Sequence, residues 1–117
     1  RALDAGKIVV FACGSGCPFF STDTAAALRA AEIGADALLL AKNVDALYSA
    51  DPKLDPKAVR YTRVSYDRVV KENLHATDLT AITLCKEQNI PIRVFALDQI
   101  ERIFTDDSIG THIVNRE

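Results

Sequence analysis

The sequence has 117 residues, enough for one domain and too few for two. Hydrophobic residues make up 49% and charged residues 26%, a balance that excludes a disordered chain. A formal net charge of -2 without a basic run argues against nucleic acid or a membrane surface as partner, and no apolar stretch approaches the ~20 residues that span a bilayer.

The first part of the chain predicts a strand, a helix and a second strand. Lys7 to Cys13 is a β-branched, nearly continuous apolar run, typical of a strand buried on both faces of a parallel sheet. A helix is predicted from the N-cap hydroxyls at 21–22 to about Ile33, with Gly34 ending it. Asp36 to Ala41 is predicted as a second buried strand. This order indicates a βαβ unit.

The next segment, Asn43 to Lys57, has two Asp-Pro steps and no periodicity, so it is predicted as a long loop. Loops of this length in compact domains are usually functional. The order of elements predicts an α/β fold. The remaining predicted elements are a short strand at Tyr61 to Val64, a helix from Ser65 that fades near Asn73, a helix at Asp78 to Gln88, a third buried strand at Ile92 to Ala96, a short helix at Gln99 to Phe104 and a final edge strand at Gly110 to Val114.

The cysteines and histidines show no metal-binding spacing. Cys13, Cys17 and Cys85 are odd in number and lie in apolar or loop surroundings, which favours free thiols in a reducing cytoplasm. Neither a C-x-x-C pair nor a paired-histidine spacing is present. We therefore expect no protein metal site and a cytoplasmic protein.

The glycine-rich turn from Gly14 to Asp23 is the first candidate for chemistry. A strand-to-helix turn with two glycines lets backbone N–H groups approach a phosphate, and the helix N-terminus adds positive charge. The same turn also suits a purely structural role. Phe19 and Phe20 favour binding, because two rings in a polar loop need either a flat ligand or a partner subunit to pack on.

Several motifs together resemble the second half of bacterial UMP kinases, over essentially the whole chain. Other amino-acid kinases, such as aspartokinases, glutamate 5-kinases and acetylglutamate kinases, share the general pattern, but Pro18 to Asp23 is more particular to UMP kinases. The motifs are Gly14 to Asp23, Ala25 to Glu32, Ala35-Asp36, Val44 to Pro52, Thr77 to Leu79, Pro91 to Phe95 and Gly110-Thr111.

The resemblance implies a three-layer αβα sandwich with a mostly parallel sheet. Residues 1–117 would form the C-terminal, ATP-binding part of an amino-acid-kinase domain, with the N-terminal half absent. It also implies a homo-oligomer, a hexamer in the family, with no nucleic acid or membrane partner. The isolated chain is expected to be inactive, because the lysine and glycine-rich phosphate grip of the first half is missing.

The implied reaction transfers the γ-phosphoryl group of ATP to UMP, giving UDP and ADP in pyrimidine nucleotide biosynthesis, with ATP and Mg²⁺ as cofactors. The alternatives are another amino-acid kinase, of the aspartokinase or glutamate 5-kinase type, and a non-catalytic nucleotide-binding fragment. By the resemblance, UMP is bound by Ser15, Gly16, Cys17, Pro18, Phe19, Phe20, Ser21 and Thr22, and ATP by Asn43 (or Lys42 before it), Tyr48 and Asp51.

Two acidic residues resemble catalytic positions of the family. Asp23 resembles the carboxylate that orients catalytic lysines between the two phosphates. Asp78 resembles an acidic residue near the transferred group, but it equally suits a helix N-cap. Three positions depart from the family pattern that the resemblance implies. Cys17 replaces an asparagine, Ala46 replaces a glycine that could need positive φ, and Ser15 replaces the common threonine but keeps the hydroxyl.

Overall fold

A computed structural model of the protein describes Gly6, residues 22–72, Leu74 and residues 79–115. The predicted strand at Lys7 to Cys13, the turn from Gly14 to Ser21, and Asp78 lie outside the described residues, so these predictions stay predictions. Within the described residues the elements are α1 (Thr22–Ile33), β1 (Leu38–Lys42), β2 (Leu47–Tyr48), β3 (Arg60–Tyr61), β4 (Arg63–Ser65), α2 (Tyr66–Lys71), α3 (Leu79–Glu87), β5 (Ile92–Ala96), a 3₁₀ helix (Leu97–Arg102) and β6 (Thr111–Val114).

The main described sheet has the strand order β1-β5-β6-β4. Strand β1 runs parallel to β5, with Leu38 opposite Ile92, and β4 runs parallel to β6. The central pair, β5 and β6, is antiparallel. The prediction of an α/β fold with a mostly parallel sheet is therefore confirmed.

Strand β6 lies between β5 and β4, so the prediction that it is an edge strand was wrong. Within β6, Thr111 is fully buried, and its hydroxyl is hydrogen-bonded inside the protein. A satisfied threonine hydroxyl can occupy the interior of a sheet at little cost.

The main core lies between the sheet and the helices α1 and α3, which pack against each other. Ala27 of α1 and Cys85 of α3 are fully buried, and Ile92 and Val94 of β5 are part of the same core. The small alanine side chains of α1 let the helices approach closely. The thiol of Cys85 is free, as predicted.

Strand β5 is buried on both faces, as its apolar run predicts. Phe95 packs with Ile103 and Ile109 in a second, smaller core. Strand β1 instead alternates between buried and exposed residues, and Leu39 is 39% exposed. The continuous apolar run was therefore a reliable guide to burial for β5 and a poor one for β1.

Three other predicted elements need adjustment. The loop predicted from Asn43 to Lys57 contains β2, which pairs antiparallel with β3 to form a hairpin. A strand of two residues is too short to leave a periodic pattern. The strand predicted at Tyr61 to Val64 divides at Thr62 into β3 and β4, and the short helix near the end is of the 3₁₀ type and begins at Leu97.

The predicted ends of α1 and α3 agree with the structure to within one residue. Gly34 follows α1 with φ 67°, and Asn89 follows α3 with φ 55°. Both residue types tolerate this left-handed conformation at a helix C-terminus. None of the described helices is both long and apolar enough to cross a bilayer.

Candidate functional site

A cleft of about 430 Å³ lies at the carboxyl ends of the parallel strands β1 and β5. In open α/β sheets this edge is where ligands bind. The volume suits a small organic ligand. The cleft is lined by Asn43, Val44, Asp45, Tyr48, Pro52, Lys53, Ala96, Asp98, Gln99 and Arg102.

A second cleft of about 370 Å³ also borders Tyr48. Both clefts share Tyr48 and its neighbours Val44, Pro52 and Lys53. Asn43 lines only the first cleft and Asp51 lines only the second. Of the three residues predicted for ATP, Tyr48 thus lines both clefts, and Asn43 and Asp51 line one cleft each.

Tyr48 is fixed by a polar contact at its ring end. Its hydroxyl donates a hydrogen bond to Asp45 Oδ1 at 2.8 Å, and Arg60 Nε lies 4.0 Å from Asp45 Oδ2. The hydrogen bond to the Asp45 carboxylate is the main reason that the pKa of Tyr48 is raised above its usual value. A neutral, anchored ring leaves its face available for a flat ligand.

Asp51 shapes the turn that closes the hairpin. Its Oδ1 accepts a hydrogen bond from the backbone N–H of Lys53 at 2.9 Å, and its carbonyl accepts one from Asp55 N at 2.8 Å. An aspartate that bonds to the backbone two residues ahead is a turn-forming device. Asp51 therefore has a structural role alongside the predicted contact with ATP.

Asp23 and Lys42 form an ion pair beside these segments. Lys42 Nζ lies 2.5 Å from Asp23 Oδ2, and the two side chains are 25% and 18% exposed. Lys42 is the last residue of β1, directly before Asn43, and Asp23 lies in the first turn of α1. The pair joins two sites that are nineteen residues apart in the sequence.

Thr111, which sequence reasoning did not select as a site residue, anchors the hairpin to the main sheet. Its hydroxyl accepts a hydrogen bond from Leu47 N at 2.8 Å and donates one to the carbonyl oxygen of Tyr61 at 2.6 Å. Leu47 and Tyr61 are opposite each other in the hairpin. One buried hydroxyl thus holds both strands of the hairpin that carries Tyr48.

Arg93 fixes the segment after the 3₁₀ helix. It is buried, and its guanidinium group donates to the carbonyl oxygens of Ile109 at 3.1 Å, Asp106 at 2.6 Å and Ile103. The available sequence signal for Arg93 was a single charged residue inside an apolar run.

Gln99, in the 3₁₀ helix, lines the first cleft, and its Oε1 is buried without a hydrogen-bond partner among the described residues.

Ala46 is accommodated without strain. It is 2% exposed, and it is absent from the described residues with positive φ. The backbone at Ala46 therefore adopts a conformation that is ordinary for a residue with a side chain. The eight residues predicted for UMP, apart from the backbone of Thr22 at the start of α1, lie outside the described residues.

The fold and this arrangement can be compared with known proteins. UMP kinase from Bacillus anthracis is 37% identical, with a TM-score of 0.93 over 98% of this chain and 49% of that one. UMP kinase from Ureaplasma parvum is 34% identical, with a TM-score of 0.88 over 97% of this chain and 50% of that one. Uridylate kinase from Archaeoglobus fulgidus is 35% identical, with a TM-score of 0.72 over 84% of this chain and 49% of that one.

The chain thus spans about half the length of these solved structures. The match confirms the α/β fold predicted from the resemblance. The sequence model of the amino acid kinase family also matches this chain, over residues 1–96. The chain therefore belongs to the amino acid kinase family.

Proposed function

We propose that residues 1–117 form the C-terminal, ATP-binding part of a UMP kinase, which transfers the γ-phosphoryl group of ATP to UMP. The observation that carries this proposal is the cleft at the carboxyl ends of β1 and β5, walled by Asn43 and the anchored ring of Tyr48. The similarity to UMP kinases at 34–37% identity supports the choice of UMP as acceptor.

In this proposal the two clefts beside Tyr48 receive ATP. The tyrosine ring lies against the adenine, Asn43 contributes a polar contact from the first cleft, and Asp51 lies near the sugar or base from the second. Because Thr111 fixes both strands of the hairpin, Tyr48 is positioned before the nucleotide arrives. Such preorganisation reduces the entropy lost on binding.

The acceptor, UMP, is proposed to bind the loop of residues 15–22, directly before Asp23. Asp23 orients cationic groups between the donor and acceptor phosphates, and Asp78 is proposed as a second acidic residue near the transferred group. Phosphoryl transfer needs alignment and fixed positive charge rather than a nucleophilic side chain, because the UMP phosphate is itself the nucleophile.

Mg²⁺ fits this site as part of the ATP complex. The described residues contain no group of three or more acidic, histidine or cysteine side chains that could hold a metal ion. Mg²⁺ commonly keeps several waters and binds through substrate phosphates with few protein ligands. When bound, it would neutralise charge at the ATP phosphates. Asp23, which is paired with Lys42, would hold cationic groups in place rather than bind the metal.

The test is nucleotide-dependent ADP formation by the complete protein that contains this chain. We expect turnover with UMP and none with aspartate or glutamate. Turnover with an amino acid would instead place the protein among the carboxylate-phosphorylating amino-acid kinases. Binding of ATP without turnover of UMP, aspartate or glutamate would favour a non-catalytic nucleotide-binding protein. The isolated chain is expected to form no ADP.

Substitutions at Tyr48 test the adenine contact. Tyr48→Ala removes the ring, so we expect the KM for ATP to rise by about tenfold. This corresponds to about 1.4 kcal/mol, within the range that stacking of a base on an aromatic ring supplies. Tyr48→Phe keeps the ring and removes only the bond to Asp45, so it is the matched control and should change KM little. Equal KM values for both variants and the unmodified protein would contradict the placement of adenine on Tyr48.

A further inference from the structure

We propose that Gln99 selects the base of the donor nucleotide, because its side-chain oxygen accepts a hydrogen bond from the 6-amino group of adenine in the first cleft. This inference rests on the proposed function, since it needs the adenine ring against Tyr48. It adds to that function a residue that distinguishes a 6-amino purine from a 6-oxo purine such as guanine or hypoxanthine.

One face of the 3₁₀ helix forms a wall of the first cleft. The cleft is lined by residues spaced at intervals of three, namely Ala96, Gln99 and Arg102. A 3₁₀ helix has three residues per turn, so side chains at this spacing lie above one another. Leu97 and Ile100, which follow the first two, are instead 61% and 52% exposed. Gln99 is therefore the middle residue of this wall, and the small side chain of Ala96 leaves space beside it.

Gln99 carries an acceptor that the described residues do not use. Its Oε1 is buried and has no hydrogen-bond partner among them. A buried carbonyl oxygen without a donor costs free energy, and native proteins retain few such groups. The residue as a whole is only half-buried, and the last bond of a glutamine side chain rotates over a broad range. A turn of the amide therefore brings Oε1 to a donor on a ligand in the cleft.

The charges around the first cleft favour a neutral ring over a phosphate group. The cleft is lined by two acidic and two basic side chains, those of Asp45, Asp98, Lys53 and Arg102. Asp45 is also the acceptor for the hydroxyl of Tyr48. A phosphate site would instead offer an excess of cationic donors. The first cleft is therefore the part of the proposed ATP site that suits the base.

The edge of adenine matches the amide of a glutamine. Its 6-amino group is a donor and its N7 is an acceptor, so Oε1 of the amide accepts from the first and Nε2 donates to the second. Guanine and hypoxanthine carry an oxygen at position 6, which would face Oε1 as a second acceptor. Either Oε1 then stays unpaired, or the amide turns over and Nε2 is buried without an acceptor. A 6-oxo purine is therefore bound less tightly.

The experiment measures the dissociation constants of ATP and inosine 5′-triphosphate (ITP) by titration calorimetry, on the complete protein that contains this chain. The bases of the two nucleotides differ at position 6, which carries an amino group in ATP and an oxygen in ITP. We expect the unmodified protein to prefer ATP. Gln99→Met should lower this preference by about tenfold, within the range that one base-reading amide supplies, mainly through weaker binding of ATP.

Two further variants complete the test. Gln99→Glu keeps an acceptor oxygen for the 6-amino group, so it should keep part of the preference for ATP, although its negative charge lowers the affinity for both nucleotides. Gln88→Met is the matched control. Gln88 is exposed and lines neither cleft, so its replacement should leave both dissociation constants unchanged.

The outcomes separate this inference from the proposed function. Equal binding of ATP and ITP by the unmodified protein, or an unchanged preference for ATP in Gln99→Met, overturns the role of Gln99 and leaves the function standing. An equal loss of affinity for both nucleotides in Gln99→Met does the same, because it shows a wall residue that does not read the base. A complete protein that binds neither nucleotide overturns the proposed ATP site and this inference with it. A selective loss of ATP affinity in Gln99→Met, absent in Gln88→Met, supports both.

Discussion

Replacing Thr111 with valine removes one hydroxyl and almost no volume from the protein. Thr111 is fully buried, and Leu47, whose N–H donates to this hydroxyl, is 2% exposed. A buried N–H that loses its acceptor costs about 1–3 kcal/mol, and the lost bond to the carbonyl of Tyr61 adds about 1 kcal/mol. We therefore expect Thr111→Val to lower the free energy of unfolding by about 2–4 kcal/mol.

Urea unfolding of the two variants Thr111→Val and Thr111→Ser measures this effect. Serine keeps the hydroxyl and loses one methyl group, so it should cost only about 1 kcal/mol. Hydrogen exchange at the amide of Leu47 gives a local measure, because only valine removes its acceptor. In the complete protein, the proposed ATP site predicts that Thr111→Val also raises the KM for ATP, since Tyr48 lies on the same hairpin strand as Leu47.

The serine variant decides whether the reasoning holds. If Thr111→Val were as stable as Thr111→Ser, and the Leu47 amide exchanged equally slowly in both, the hydroxyl would not be what holds the hairpin. A loss of stability in both variants by the same large amount would point to the methyl group and its packing instead.

Three further predictions concern stability. Gly110 has φ 74°, and a Cβ there would lie 2.1 Å from a backbone carbonyl oxygen of β5, so Gly110→Ala should lower the free energy of unfolding by about 2 kcal/mol or more. Gly34 has φ 67° but open space around it, so Gly34→Ala should lower the free energy of unfolding by only about 1 kcal/mol. Similar urea midpoints for the two variants would contradict this prediction. Burial raises the pKa of Cys85 to about 11 and that of Tyr66 to about 12, from ordinary values of 9.0 and 10.0. The folded state therefore keeps protons that the unfolded state loses between roughly pH 9 and 12, so the free energy of unfolding should fall as pH rises through that window. The fall should be less steep in Cys85→Ala. The same dependence on pH in this variant and in the unmodified protein would refute the role of the thiol. Arg93→Met should lower the free energy of unfolding by about 2–4 kcal/mol, because three carbonyl oxygens lose a charged donor, and thermal melting at an unchanged midpoint would rule this out.

Local sequence signals predicted most of the helices and strands in the described residues. The hydroxyl-rich start and Gly34 placed α1 within one residue of its observed bounds, and the apolar run at Ile92 to Ala96 matched β5. These features depend on backbone preferences and on burial of neighbouring residues, both of which are written in short segments. The order of the strands in the sheet depends on contacts between distant segments, so no short segment indicates that β6 lies between β5 and β4 instead of at the edge.

Short sequence segments also indicated some residues of the candidate site, but not the contacts between distant segments. Asp23, Asn43, Tyr48 and Asp51 follow from motifs that each lie within one short segment, and they stay candidates for the proposed reaction. The contact between Asp23 and Lys42, and the bonds from Thr111 to the hairpin, join residues far apart in the sequence. No pattern within a single segment indicates which distant side chain a lysine or a threonine will meet.

The position of β6 between β5 and β4 also has a consequence for how the chain folds. Partners in the two parallel pairs are separated by roughly fifty residues, as Leu38 and Ile92 are, so most of the sheet forms from non-local contacts, which close slowly. During synthesis from the N-terminus, β1, β4 and β5 emerge before the strand that joins them. Until β6 arrives, β4 and β5 both present unpaired edges, and the nascent protein is most exposed to aggregation in that interval.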